Sequence, residues 1–339
     1  ERFLRKSEAI YRVGFEQLGH VPFDRWTDMT RVLPSLLRLE GWRTVWGLAS
    51  RHVRDPKLRM VLTFQSLLVG GNPFSTTSVY CLIAFLERRF GVHCAIGGTG
   101  RLVQGLVRLI EGQGGSVRCA QEVAEIVVEQ GTATGVRLKS GALLGADIVV
   151  SNADSAWTYR HLIAPQHRRH WTDRRIERAR YSMSLFVWYF GTRRRYDEVA
   201  HHTIVLGPRY RELLADIFDR HRLAEDFSLY LHRPTATDAS LAPPDCDAFY
   251  VLAPVPHLGS GTDWAATAES YRQRIEQQLR REIHKLLLEH LDLATMDTSK
   301  LDDPSMRPKV LSALRRIIGQ IDARIPKDLD RDTLIGELA

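Results

Sequence analysis

Gly91-Val92-His93-Cys94-Ala95-Ile96-Gly97-Gly98-Thr99-Gly100-Arg101-Leu102-Val103-Gln104-Gly105-Leu106-Val107 is the stretch on which the fold reading turns. Its first six residues read as a short strand, the glycines turn the chain, and Leu102, Val103, Leu106, Val107 and Ile110 then share one broad helical face. Gly114-Gly115 ends that helix. Three β-branched runs follow, Val123 to Glu129, Val136 to Lys139 and Ala146 to Val150, parted by glycine-containing turns that suit hairpins. Working outward, Ser184 to Phe190, Phe227 to His232 and Ala248 to Ala253 are β-branched and aromatic, which predicts a second sheet, with Leu241 to Asp245 as a rigid loop between two of its strands. Such a sheet could wall a binding cavity.

A strand, a helix and then a meander is a common element of dinucleotide-binding folds, so the glycines can be tested against the fingerprint G-x-G-x-x-G. Gly98-x-Gly100 supplies the first two glycines, but Val103 stands where close helix packing needs the third. Glu122 lies near the offset of a ribose-binding acid. A turn that needs positive φ explains the glycines better than a phosphate cradle.

The first forty residues carry the apolar spacing of short amphipathic helices: Ile10, Val13 and Phe15, then after Pro22 Met29, Val32, Leu33, Leu36 and Leu37. Arg54-Asp55-Pro56 starts a further helix with proline near its first position. Core packing accounts for such stripes; a helical cap around a lipophilic ligand or lying on a membrane is the sharper reading. From about Tyr271 to His290 the chain is strongly helical again, and Val310 to Ile321 predicts another helix.

The 339 residues, 44% apolar and 26% charged, fit a globular chain of one large domain or two ordinary ones and exclude collagen-like, disordered and disulfide-scaffold classes. No run approaches the roughly 18 apolar residues of a membrane-spanning helix. The scattered Cys81, Cys94, Cys119 and Cys246 read as buried thiols in a reducing compartment. The start at Glu1 is expected to lie inside a longer chain. The net charge of +7 allows nucleic acid, an anionic membrane surface or an acidic ligand. Its arginine clusters lack any zinc-finger or RNP-type motif, so nucleic acid is not expected.

No zinc-peptidase, α/β-hydrolase or P-loop signature is present. His201-His202 invites a metal, but adjacent strand residues point to opposite faces, so no metal site is expected. Asp28 and Arg31, at i and i+3 on one predicted helix face, form the polar pair to single out. A surface ion pair is the commoner meaning. If the helix lines an apolar cavity, a buried Asp28 carboxylate would instead serve as proton acceptor, with the Arg31 guanidinium setting its charge state.

Leu67-Leu68-Val69-Gly70-Gly71-Asn72-Pro73-Phe74, Gly97-Gly98-Thr99-Gly100, Ser151-Asn152-Ala153-Asp154, Ala200-His201-His202-Thr203, Gly207-Pro208-Arg209-Tyr210 and Tyr250 to Gly259 together resemble bacterial phytoene desaturases, in unbroken order over roughly residues 1 to 280. The resemblance implies a partial flavin amine-oxidase-like fold, α+β or α/β. It implies an FAD-dependent oxidoreductase acting on CH–CH groups, peripheral on the cytoplasmic side of a bacterial membrane, that carries phytoene stepwise toward lycopene. Asp28 and Arg31 resemble the acidic and basic positions near the flavin ring. Val123 resembles the adenine-contacting strand, and Gly97, Gly98 and Asn152 are carried over as further cofactor contacts.

The family's N-terminal βαβ unit with G-x-G-x-x-G and its C-terminal glycine-rich segment have no counterpart here, so this chain alone is expected to hold FAD poorly. Ile283 to Leu293 and Ile335-Gly336-Glu337-Leu338 resemble the helical region ahead of the motor core in pilus-assembly and type II/IV secretion ATPases, which implies a join near Arg281. The expected organisation is a helical substrate and membrane region over 1–90, a partial FAD-domain segment over 91–160, a substrate-domain sheet with helices over 161–281 and a helical tail over 282–339. The alternative is a non-catalytic fusion fragment with a helical interaction tail.

Overall fold

The computed structural model describes residues 1–22 and 26–290; the second tail helix and the Ile335–Leu338 segment lie outside the described residues. The chain divides into two compact units, Glu1–Ile275 and Glu276–Ala339. In the second, the described residues continue a helix.

The first part of the larger unit is helical: α1 (Arg2–Tyr11), α2 (Trp26–Arg38), α3 (Val45–His52), α4 (Pro56–Val61), α5 (Gln65–Leu68) and α6 (Leu82–Phe90). Local chemistry starts several of them. The Thr44 hydroxyl accepts from the Gly47 N–H at the start of α3, and the Asp55 carboxylate caps α4 from the Leu58 N–H at 2.9 Å, with Pro56 at the first turn as expected. α1 packs on α6, and Phe3, Ile10, Leu39, Val45, Leu48, Ala49, Cys81 and Ala84 close a core between these elements. The apolar stripe of this region thus splits. Part of it is core, whereas Phe15, Leu33, Leu37, Trp42, Leu58, Val61, Leu68 and Val69 remain exposed.

The predicted helix after the glycine turn is α7 (Thr99–Gly112), but the strand expected at Val92 to Ile96 does not form. Among the described residues that segment has no strand to pair with, and Val92 and Ile96 stand exposed. The meander is present as an antiparallel sheet of β1 (Val123–Glu129), β2 (Thr132–Leu138) and β3 (Leu143–Gly145). The β1–β2 turn is the two-residue kind, with positive φ at both Gln130 and Gly131. The third strand is earlier than its hydrophobic run, leaving Ile148 and Val150 outside it and exposed. Gly135 is required in β2, since a Cβ there would sit 2.2 Å from the Leu144 carbonyl oxygen.

After the short helices α8 (Ser155–Trp157) and α9 (Asp173–Glu177), the second sheet is built from β4 (Ser184–Thr192), β5 (His202–Val205), β6 (Leu229–His232) and β7 (Asp247–Val255), with α10 (Tyr210–Phe218) between β5 and β6. All its pairs are antiparallel, in the order β4-β7-β6-β5. α11 (Trp264–His290) follows. One face of the sheet is core: Phe186 stacks on Trp264 at 5.7 Å and meets Tyr271 edge-on at 5.1 Å, and Leu229, Leu231, Phe249, Val251 and Val255 are buried behind it. The structure is therefore a mixed α+β fold with two antiparallel sheets.

The cysteines depart from expectation. Cys81 is buried, but Cys94 and Cys119 are exposed, because both lie in segments flanking α7 that pack against little. No described helix is long and apolar enough to cross a membrane.

Candidate functional site

Strand alternation in the second sheet produces two faces of different character. With the core face filled, the other is left open and carries two rows that cross all four strands. Val187, Leu252, Tyr230 and Ile204 form one; Tyr189, Tyr250, His232 and His202 form the next. Leu185, Val187 and Tyr189 are 45%, 41% and 73% exposed, respectively, unusual for three apolar or aromatic side chains in alternate positions of one strand. The Tyr189 and Tyr250 rings lie 5.5 Å apart, Tyr250 and His232 4.4 Å, and His232 and His202 5.3 Å. The result is a flat apolar and aromatic surface with a polar corner of imidazoles and phenols. Such a face suits a long, rigid hydrocarbon lying across the strands.

At that corner the sequence expectation fails. His201 and His202 were expected to point apart as strand neighbours, yet their ring centroids are 4.4 Å apart, because β5 begins at His202 and His201 precedes it. With His232 they make a group of three imidazoles able to hold a metal ion. Burial, together with the two neighbouring imidazoles, pushes His232 down to about 4, and burial lowers His201 as well. Both are therefore neutral at neutral pH. Burial and Tyr250 push the Tyr230 phenol up, so it stays protonated.

The corner is braced from beneath. Arg233, the residue after β6, is buried and donates to Asp247 Oδ2 at 2.8 Å, to Asp197 Oδ1 at 2.9 Å and to the Val199 carbonyl at 3.0 Å. Asp247 also accepts from the Thr235 hydroxyl and the Tyr196 N–H. No motif marked this network. The only sequence signal was a charged residue just after one apolar strand and another at the start of the next.

The glycine turn has its own partner. Gly98 caps α7 with φ +86° and ψ 169°, which confirms that the turn needs glycine, and the Gly97 N–H donates to Asp238 Oδ2 at 2.6 Å. The Ser240 hydroxyl, and then this Gly97 N–H, hold the Asp238 carboxyl below its usual range. The Gly97 N–H, one residue ahead of the α7 cap, is thus already taken by a carboxylate, and a pyrophosphate placed against that N–H would meet its negative charge.

The other predicted residues lie on or beside three different elements of the fold. Asp28 is half-buried and Arg31 exposed on α2. This helix does line an apolar cavity of about 210 Å³, but with Val32, Ser35 and Leu36. Val123 is half-buried at the first position of β1, opposite Leu138, and Asn152 is exposed just before the Asp154 cap of α8.

No family model matches the chain. Sequence comparison is more informative. The chain is 48% identical over 284 residues to the neurosporene-forming phytoene desaturase of Cereibacter sphaeroides, covering 82% of this chain and 55% of that protein. It is 48% identical over 275 residues to the lycopene-forming phytoene desaturase of Pseudescherichia vulneris, 81% of this chain and 56% of that protein. The chain is homologous to the bacterial phytoene desaturases. It spans about half the length of these desaturases. A further match, 44% identical to the lycopene-forming enzyme of a Paracoccus species, extends over 305 residues, 90% of this chain and 60% of that protein, and so is longer than the 281 residues ahead of the expected join. Among solved structures, an oxidoreductase from Methanosarcina mazei shares the fold with TM-score 0.50 at 17% identity, over 76% of this chain and 58% of that one.

Proposed function

We propose that this desaturase-like chain works in carotenoid biosynthesis, in the dehydrogenation of phytoene toward lycopene, and that the open face of its second sheet receives the hydrocarbon. The observation that carries this reading is the 48% identity to phytoene desaturases over about four-fifths of the chain. The sheet face supports it: phytoene is a long apolar chain, and the rows led by Val187 and Tyr189 offer it an extended surface with few polar groups to desolvate.

FAD is the redox partner the resemblance implies. The residues at Gly97 and Gly98 do not cradle its pyrophosphate, so no step is routed through it. This chain, purified alone, is expected to carry flavin well below one equivalent; stoichiometric flavin absorbance would overturn that expectation.

The substrate reaches the protein from a bilayer in this reading, on the cytoplasmic side of a bacterial membrane. Exposed Leu33, Leu37, Trp42, Leu58 and Val61, beside the positive net charge, supply an interfacial surface. The test is retention of phytoene from liposomes, quantified by chromatography of the extracted protein. Leu185→Asn, Val187→Asn and Tyr189→Gln combined should reduce retention at least tenfold, since each apolar side chain covered by a ligand contributes about 1.5–3 kcal/mol at most. Equal retention by the triple variant would refute the assignment of this face.

A further inference from the structure

The three-histidine corner closes the Tyr189 row, and the reading above gives its ring nitrogens no chemical role. His202 and His232 face each other directly across β5 and β6, and the His201 backbone is pinned beside them by the Arg233 N–H, which donates to its carbonyl at 2.9 Å. One ring nitrogen from each lies within 4.8 Å of the other two. His201 Nε2 and His232 Nε2 stand only 2.7 Å apart, a distance at which two imidazole lone pairs must share a proton; a cation satisfies both lone pairs without one.

Two of the three outer nitrogens are held in the way metal-binding histidines require. His201 Nδ1 pairs with the Thr237 hydroxyl, and His202 Nδ1 pairs with the Tyr230 hydroxyl at 2.6 Å, which orients each ring. His232 Nδ1 is buried with no hydrogen-bond partner. The neighbouring guanidinium of Arg233 is neutralised by Asp247 and Asp197, so it does not repel a cation. The donor set is all imidazole, with no carboxylate, which selects borderline transition ions over magnesium or calcium.

We propose that His201, His202 and His232 form a binding site for a divalent cation of the zinc class, with three imidazole nitrogens and one open coordination position. Zinc–nitrogen bonds of about 2.0–2.1 Å in tetrahedral array put the nitrogens roughly 3.3 Å apart. The close pair must open by about 0.6 Å, and the exposed His202 ring swings inward to complete the set. The inference is independent of the carotenoid reading and stands or falls without it.

The test uses the full chain, stripped with a chelator and titrated with Co²⁺, then with Zn²⁺ or Mg²⁺ in competition. The expected result is one equivalent of Co²⁺ with the intense visible absorption of a four-coordinate nitrogen site, displaced by Zn²⁺ and not by Mg²⁺. His202→Gln, at an exposed side chain, should weaken binding at least tenfold, and His201→Gln likewise. His221→Gln, which removes a histidine from the separate His221–His257 pair, should leave it unchanged. Far-UV circular dichroism checks that each variant is folded. Absence of saturable binding, or binding indifferent to His202→Gln and His201→Gln, would overturn the proposal.

Discussion

Removing the Asp247 carboxylate is the sharpest test of how the imidazole corner is held. Its side chain is fully buried and that of Arg233 is 3% exposed, and the carboxylate accepts from Arg233 Nε at 2.8 Å, the Thr235 hydroxyl at 2.6 Å and the Tyr196 N–H at 2.7 Å. Alanine there leaves the guanidinium with Asp197, which sits at the surface, and strips three donors of their acceptor. Breaking a buried pair from one side costs about 3–5 kcal/mol, a large share of the roughly 5–15 kcal/mol that holds a domain together. Asp247→Asn keeps an acceptor oxygen and should lose roughly 1.5–3 kcal/mol, the worth of hydrogen bonds to a charged group. Arg233→Met with Asp247→Leu should cost less than Asp247→Ala alone, because no unpaired charge remains buried. Urea unfolding followed by circular dichroism reads all three, with the denaturant slope held as the check on two-state behaviour. A loss under about 1 kcal/mol for Asp247→Ala would refute the reasoning.

Other consequences are simpler to measure. Burial pushes the Cys81 thiol up to about 12, so a thiol reagent should label exposed Cys94 and Cys119 quickly and Cys81 only after unfolding, read by mass spectrometry. Burial lowers His52, whose Nε2 has no partner, below its usual 6.5. The unfolded chain then binds the proton first as pH falls, so the stability contributed by neutral His52 is present above about 6.5 and is lost below it. His52→Leu should flatten the pH dependence of the urea midpoint there; an unchanged slope would count against it. Gly98→Ala places a Cβ in only ordinary contact with Leu241, so its cost is that of the backbone region, about 1–3 kcal/mol in thermal or urea unfolding. A neutral result would show that α7 starts in another conformation.

Much of the secondary structure was legible. β-branched and aromatic composition placed β4, β6 and β7 within a few residues, and the Asp55–Pro56 signal placed the start of α4. The failures share a cause. Val92 to Ile96 has the composition of a strand but nothing to pair with among the described residues, and strand propensity without a partner does not make a strand. The argument against a shared site for His201 and His202 assumed that both lie inside one strand, and a one-residue shift of the β5 boundary removed it.

The sequence by itself determined the ancestry, the mixed fold and the amphipathic pattern of each element, because these depend on residue order and on periodicities of two and 3.6. The tertiary structure decided which distant residues meet. Gly97 and Asp238 are 141 positions apart, His201 and His232 are 31, and Asp197 and Arg233 are 36. Periodicity says that a side chain faces inward or outward from its own element; it carries nothing about which strand lies next to it. Strand order and register supply that, and they turned three scattered histidines into one corner and an ordinary glycine turn into the seat of a carboxylate.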